Sequence, residues 1–570
     1  MSVIATAGHV DHGKSTLVQA LTGTDPDRLE EEQRRGLTID LGFAHTTLPS
    51  GRALSIVDVP GHVRFLGNML AGVGGVSATL FVVSAVEGWK PQSEEHLRIL
   101  QLLGIEAGVI ALTMIDLVDD DLLELAQLDV AEHVAGTMLA DAPVVAVAAP
   151  VGEGIDELRT AIDRVVADAS PAADRDRPRL WVDRAFAATG SGTVVTGTLA
   201  GGPLRAEQSV AVAPAGHTAR IRGLQSAGRQ LDSVEPGERV AVNLTGVGVA
   251  EVGRGDALGE PDRGLLSDRF DASMHVLASL DHEVSRRGAY VAYVGSGSFP
   301  ASVRVLGTDA LAPGTTGALR VYLDVAVPLL PGDRYILRET GRSETIGGGE
   351  VLDIAPVTRA ADAVPDRSIE RVVRERGWVD VDELELLTGE RVEAVLGRWV
   401  VTDDELEQVR REVDALVDDA GAIGVDLAAL DERQRATAEA RDDIVIDGGR
   451  VRRAGAVDPF DDHPLLAVLA AGGLQPPAPD GVSRDELREL IRRGSVFERD
   501  GVYFHASAID RAADVARQLL TEHTDGFTVA QFRDATGTSR KYALPILGQL
   551  DADGRTRRRD DLRIAGPRLG

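Results

Sequence analysis

Gly8-His9-Val10-Asp11-His12-Gly13-Lys14-Ser15 has the residue types and spacing of a phosphate-binding loop, G-x-x-x-x-G-K-[ST]. Val3-Ile4-Ala5 before it reads as a strand, and Ser15-Thr16-Leu17-Val18-Gln19 reads as the first turns of a helix. In that setting the backbone N–H groups of the turn, from Gly8 through Asp11 and Gly13 to Thr16, can cradle polyphosphate oxygens. Lys14 can reach the β and γ phosphates, and the Ser15 hydroxyl can bind Mg²⁺. Lysine at 14 does not follow from composition: Lys14, Lys90 and Lys541 are the only three lysines among 60 basic residues. A phosphate loop needs a compact ammonium on a flexible stem, which arginine does not mimic.

A second group lies at the end of the apolar run that starts at Leu54. In Asp58-Val59-Pro60-Gly61-His62, Asp58 can hold Mg²⁺ through water and Gly61 can turn its N–H toward a γ-phosphate. His62 either orients a hydrolytic water or is a surface or ribose-contacting imidazole. Thr38, in Arg35-Gly36-Leu37-Thr38-Ile39-Asp40, can supply a second Mg²⁺ hydroxyl from a loop that a γ-phosphate orders.

These residues need a scaffold. Residues 1–170 alternate near-continuous apolar strands (54–59, 78–86, 108–113, 143–148) with helical stretches (93–103, 120–139), the pattern of a parallel sheet covered on both faces. The charged, proline-containing linker 168–179 follows. Short strands separated by Gly and Pro turns then predict a β-barrel over 171–262, with strands near 181–187, 192–199, 220–224 and 239–244, and a second β domain over 263–358. Gly347-Gly348-Gly349 in the last strand of that domain suggests a bulge or a close backbone approach with a structural role. Residues 366–570 return to short helices followed by paired strands, the pattern of tandem winged-helix modules. The fold class is thus multidomain: α/β, two β-barrels and winged helices.

With 570 residues the chain exceeds one core, and about three to five domains are expected. There is no Cys, which excludes disulfides, thiolate metal sites and a cysteine nucleophile and suits a reducing compartment. No signal-peptide pattern or long uncharged apolar run is present, so no membrane partner and a cytoplasmic location are expected. The net charge of −30 argues against nucleic acid as a general partner. The end of the chain differs, with nine Arg/Lys against five Asp from Arg533 onward. Thr528 reads as the N-cap of one helix there, and Thr538 or Ser539 as the cap of the next, which begins Arg540-Lys541. With Arg555, Arg557, Arg558, Arg559 and Arg563 around a wing, this segment is an RNA-binding module, a solvated basic tail or a DNA-binding winged helix.

GHVDHGKS, RGLTID and DVPGH together resemble the translational GTPases. The continuation Asp40-Leu41-Gly42-Phe43, the segment TIGGGEVLD (345–353) and the basic last module resemble the selenocysteine-specific elongation factors within them. The resemblance implies GTP and GDP with Mg²⁺ as cofactors, the nucleotide roles above for Lys14, Ser15, Thr38, Asp58 and Gly61, and the water-positioning role for His62. It places the guanine-reading motif at Thr113-Met114-Ile115-Asp116, where Asp116 accepts from guanine N1–H and N2–H, and at Val147-Ala148-Ala149, where backbone N–H groups can meet the guanine oxygen. Two positions depart from the family pattern: Met114 stands for the usual lysine, and Ala148 for the usual serine. The resemblance also implies a pocket for the selenocysteinyl end of a tRNA, formed by the first barrel and the nucleotide-binding domain. A cationic pocket would separate selenolate from a neutral hydroxyl, and Arg184 and Arg239 are its candidates; ordinary strand-end arginines are the other reading. The expected activity is GTP hydrolysis, stimulated by the ribosome, in a monomeric factor that delivers selenocysteinyl-tRNA to a codon marked by an mRNA hairpin. A general elongation or initiation GTPase, or a non-enzymatic nucleotide-gated RNA-binding scaffold, are the alternatives.

Overall fold

The computed structural model describes residues 2–27, 32, 34, 38–61, 67–69, 76–169, 172–188, 190, 192–261, 264, 266–456 and 459–569. Its contacts divide it into two compact units, Met1–Thr402 and Asp403–Gly570.

The first unit opens with strands β1 (Ser2–Ala7), β2 (Gly42–Thr47), β3 (Ala53–Asp58), β4 (Ala78–Ser84), β5 (Gly108–Thr113) and β6 (Val144–Ala146). They form one sheet in the order β2-β3-β1-β4-β5-β6, parallel except for the antiparallel β2. Helices α1 (Lys14–Thr22), α2 (Pro91–Leu102), α3 (Asp120–Val134) and α4 (Ile155–Asp168) accompany it. Both faces of the sheet are packed, which is why β4 and β5 are buried at every position and read as continuous apolar runs. β1 pairs with β3 on one side and β4 on the other. The crevice at its carboxyl end is therefore a topological switch point, where open α/β sheets bind ligands.

The strand expected over 181–187 is two strands, Arg179–Trp181 and Arg184–Ala188. The break comes from bonds to residues distant in sequence. The Val182 and Asp183 N–H groups donate to the carbonyls of Asp256 and Thr196, and the Asp183 carboxylate accepts from Thr196 Oγ1, so the chain turns there. Arg179–Trp181 joins Gly192–Ala200, Arg239–Thr245, His217–Ser226, Ser209–Ala213 and Ala257–Gly259 in a closed six-stranded barrel. A second closed barrel runs Leu266–Val276, Thr316–Pro328, Gly297–Leu306, Tyr290–Val294, Arg334–Glu339 and Glu344–Asp353. The three glycines lie in its last strand. A Cβ on Gly347, Gly348 or Gly349 would come within 2.1, 2.3 and 2.2 Å of the carbonyl oxygens of His275, Tyr335 and Ser273. Their role is close backbone approach at barrel closure.

Helix Ile369–Arg376, helix Val381–Thr388 and the paired strands Trp378–Asp380 and Trp399–Val401 do not group with the rest of the 366–570 region. Val372, Val373, Val379, Leu384 and Leu387 share one apolar cluster with Phe270 and Tyr335 of the second barrel. The buried Arg371 donates to Asp353 at 2.8 Å and to Glu375 at 2.6 Å. The expected region therefore divides at 402/403, because packing and a buried ion pair hold its first module to the barrel.

The second unit repeats the helix-and-hairpin theme. The hairpins are Ile444–Asp447 with Arg450–Arg453, Val496–Arg499 with Val502–His505, and Thr556–Arg559 with Leu562–Ala565. The last module packs Ser507–Glu522, Val529–Thr536 and Arg540–Ala552 around Phe527, Phe532 and Leu547. Among the described residues no helix is long and apolar enough to cross a membrane.

Replacing Arg371 by Leu strands the Asp353 carboxylate in a dry site. The expected cost is about 3 kcal/mol, read as a lower unfolding midpoint together with faster protease cleavage between residues 356 and 368.

Candidate functional site

The strand–loop–helix unit around residues 8–15 has the geometry its sequence requires. Gly8 has φ 132°, and a Cβ there would meet the Val82 carbonyl oxygen at 2.1 Å. Asp11 and Gly13 also have positive φ, 59° and 79°. α1 starts at Lys14 with Gly13 as N-cap and no side-chain cap, so its first-turn N–H groups are left for an anion. Thr16 is exposed in that turn. Lys14 is only 6% exposed, and its ammonium donates to the Gly8 and His9 carbonyls at 3.1 and 2.6 Å. Burial lowers its pKa to about 8, against the opposing pull of Asp58 and Asp11. Gly61 sits directly behind it: a Cβ there would lie 2.5 Å from Lys14 Nζ and 2.6 Å from the Val10 nitrogen. His62 lies outside the described residues.

Ser15, Thr38 and Asp58 are brought together, as their assignment to one cation requires. Ser15 Oγ donates to Asp58 Oδ2 at 2.8 Å and lies 2.8 Å from Thr38 Oγ1. Thr38 Oγ1 in turn donates to Asp27 Oδ1 at 2.9 Å. Asp27 was not legible in the sequence, because nothing in Asp25-Pro26-Asp27 marks one acidic residue of a loop as inward-facing. The set has a proton deficit: two hydroxyl protons serve three oxygen–oxygen contacts. The three contacts therefore cannot all be full hydrogen bonds, and the oxygen lone pairs left over leave a place for a cation. Burial pushes Asp58 up to about 6 and raises Asp27 as well. An all-oxygen set of two hydroxyls and two carboxylates fits Mg²⁺.

The base-reading elements follow at the ends of β5 and β6. Thr113 Oγ1 donates to the His12 carbonyl at 2.8 Å, so it ties β5 to the phosphate loop. Asp116 is exposed in the 3₁₀ turn Ile115–Leu117. Met114 has φ 61°, takes a bond from Ser84 Oγ on its sulfur, and its methyl lies 3.7 Å from where a Cβ on Gly13 would be. It packs on the phosphate loop as an uncharged filler. Ala148 is buried, and its N–H donates to the Glu153 carbonyl at 3.0 Å. That N–H is thus committed; in the 3₁₀ turn that follows, Pro150 has no N–H and the Val151 N–H donates to the Ala148 carbonyl at 3.2 Å, so Ala149 is the residue of the turn that can offer a donor there.

Two further residues hold the loop from α2. Gln92 Oε1 accepts from the Val10 N–H at 3.2 Å, and His96 Nδ1 accepts from the Gly8 N–H at 3.0 Å. Burial lowers His96 to about 3, so its ring is neutral and Nδ1 is free to accept. Their four-residue spacing on one helix face was the available sequence signal.

Arg184 and Arg239 converge on one ring. Their guanidinium carbons lie 4.9 and 3.6 Å from the Phe43 ring centre. Arg184 donates to the Leu41 carbonyl at 2.7 Å. Arg239 pairs with the buried Asp183 and donates to Thr196 Oγ1 at 3.1 Å. The two arginines, Phe43, His45, Phe186 and Gln225 line a cavity of about 290 Å³. Asp183, which fixes Arg239, was present in the sequence without a partner to give it meaning.

In the last module Thr528 caps its helix in a full capping box. Ser539 is the next N-cap but makes no side-chain cap bond. The basic residues differ in what they already hold. Arg555 pairs with Asp510 at 2.8 Å, Arg558 donates to the Asp560 carbonyl, and Arg563 is buried against Asp551. Arg540, Lys541, Arg557 and Arg559 are exposed, with Lys541 over the Tyr542 ring.

The Lys14 environment generates a pH prediction. Polyphosphate stabilises the ammonium, so nucleotide binding takes up a proton once the free protein has lost it. Affinity should hold near neutrality and fall about tenfold per unit above about pH 8. Calorimetry in buffers of different ionisation enthalpy checks the proton uptake.

Residues 1–168 match the elongation factor Tu GTP binding domain, and residues 518–565 match the winged helix of elongation factor SelB. The chain is 33% identical to the selenocysteine-specific elongation factor of Desulfomicrobium baculatum, over 98% of this chain and 99% of that protein. It is 35% identical to the Escherichia coli K12 factor of the same name, over 63% of this chain and 56% of that one. The crystal structure of a bacterial selenocysteine-specific elongation factor EF-Sec superposes with a TM-score of 0.73 at 26% identity, covering 99% of this chain and all of that one. With a translational-GTPase nucleotide domain, two six-stranded barrels and a terminal winged helix matched along nearly its whole length, the chain belongs to the family of selenocysteine-specific elongation factors.

Proposed function

We propose that this protein uses GTP to deliver selenocysteinyl-tRNA to a ribosome at a UGA codon marked by an mRNA hairpin. The cavity between Arg184 and Arg239 carries the reading. A selenol is largely ionised at neutral pH, and two guanidinium groups against an aromatic ring favour a selenolate over the neutral hydroxyl of a seryl ester.

Ser15 and Thr38 would hold Mg²⁺ directly, and Asp58 would hold it through water. Bound there, the ion neutralises charge on the β and γ phosphates. Lys14 and the loop N–H groups hold the phosphates in place, and Asp116 selects guanine through two acceptor oxygens. His62 would place the attacking water once the ribosome positions it. In the terminal module, Arg540, Lys541, Arg557 and Arg559 are the side chains available to RNA phosphates and splayed loop bases; Arg555 and Arg558 would first have to leave the partners they hold.

Competition binding with GTP present, comparing selenocysteinyl-tRNA with seryl-tRNA on an identical body, tests the delivery reading. A preference that Arg239→Met removes is expected; equal affinities would overturn it. His62→Ala should abolish ribosome-stimulated hydrolysis, an outcome that a non-enzymatic scaffold would not produce. Asp116→Asn replaces a double acceptor by a group that also donates. GTP affinity should fall by about 10- to 100-fold, while xanthosine triphosphate, with an oxygen at C2, should lose less; equilibrium titration with both nucleotides measures this.

A further inference from the structure

One guanidinium outside both sites touches three segments. Arg254 Nη2 donates to Asp40 Oδ1 at 2.7 Å, Nη1 to Asn68 Oδ1 at 2.6 Å, and Nε to the Asp183 carbonyl at 2.9 Å. Asp40 lies two residues beyond Thr38 of the cation cluster. Asn68 lies seven residues beyond Gly61, and its amide donates to the Ile39 carbonyl at 2.8 Å. Asp183 holds Arg239 in the cationic cavity. The fork of N–H donors on a planar guanidinium can serve three directions at once, which an ammonium cannot do in the same geometry.

The base of Arg254 is firm. The adjacent Gly255 N–H donates to Ser296 Oγ, which donates to the Val182 carbonyl at 2.6 Å, so both barrels fix this stretch of backbone. The other end of the contact belongs to residues tied to the phosphate site. Residues 38–43 form one strip along which Thr38 meets Ser15, Asp40 meets Arg254, the Leu41 carbonyl meets Arg184, and Phe43 forms the cavity wall. Asp40 also lies 3.8 Å from Arg184.

We propose that Arg254 is a positioning residue that latches the segments carrying Asp40 and Asn68 to the wall of the cationic cavity, so that the cavity holds its selenolate-binding shape only while the γ-phosphate keeps both segments in place. The proposal rests on the delivery reading for its ligand. The latch itself is a property of the nucleotide state and can be measured without tRNA. A ligand at one site can change the other only through contacts that differ between the two states; in the proposal those contacts are the Arg254 bonds to Asp40 and Asn68.

The test uses the full chain with Arg254→Met, which keeps the stem and loses the donors, and Arg254→Lys, which keeps the charge. Hydrogen exchange of peptides covering 183–188 and 239–245 is compared with GDP and with a non-hydrolysable GTP analogue. Wild type should show protection that depends on the γ-phosphate. Arg254→Met should lose that difference while GTP and GDP affinities stay within about threefold, and Arg254→Lys should recover only part of it. In tRNA binding, the preference of the GTP form over the GDP form should fall about 10- to 100-fold in Arg254→Met. Combining it with Asp40→Asn should add little. Exchange in the variant that still responds to the γ-phosphate would overturn the latch, as would tRNA affinity lost equally in both nucleotide forms. Equal wild-type affinity for selenocysteinyl-tRNA and seryl-tRNA would overturn the delivery reading and leave the exchange comparison to decide the latch on its own.

Discussion

Lys14 carries its ammonium into a nearly dry position against two backbone carbonyls, within reach of the field of Asp58. Burying a charge without a full partner is costly, and the surrounding architecture makes it tolerable. Gly8 and Gly61 lack side chains where a Cβ would collide with Val82 or with Lys14 itself. Gln92 and His96 hold loop N–H groups from outside, so that other donors of the turn need not fold back on the protein. β1 and β3 end beside the crevice where the ammonium sits, and a polyphosphate is the counter-charge the crevice suits.

The cation cluster and the cationic cavity are two ends of one short strip of chain. Thr38 reaches into the first and Phe43 forms the wall of the second. An extended chain spans about 3.3 Å per residue, so five steps leave little slack between them. A shift of the strip at the phosphate end must be absorbed at Asp40, Leu41 or Phe43, each of which is bonded to or stacked with an arginine of the first barrel. Short covalent distance, rather than a long relay of packed residues, is the physical basis of the proposed coupling between nucleotide state and the cavity.

Charge in the terminal module shows why counting basic residues is a poor guide to binding. The run Arg555-Thr556-Arg557-Arg558-Arg559 looks uniform. Thr556 is buried, and Arg555 and Arg558 are engaged by Asp510 and by the Asp560 carbonyl. Arg557, Arg558 and Arg559 are all exposed, so it is the placement of Asp510 on a neighbouring helix and of the Asp560 carbonyl in the turn that decides which arginines keep their donors unspent. A phosphate competes on even terms only for the latter.

Local patterns determined the parts of this protein that depend on local chemistry. The phosphate loop, the strand ending at Asp58, the capped helix at Thr528 and the alternation of strands and helices over 1–170 all rest on short-range rules of backbone conformation, burial and capping. Residues 8–15 and 345–353 also carried enough pattern to indicate the family. Long-range pairing was not legible. Asp27 joined the cation cluster, Asp183 split a strand and fixed Arg239, Arg371 drew its module onto the second barrel, and Arg254 bridged residues 40, 68 and 183. An acidic or basic residue looks the same in a sequence whether it ends in water or against a distant partner. Only closure of the chain in three dimensions, which sets the distance between such groups and the water left around them, decides which charges do work.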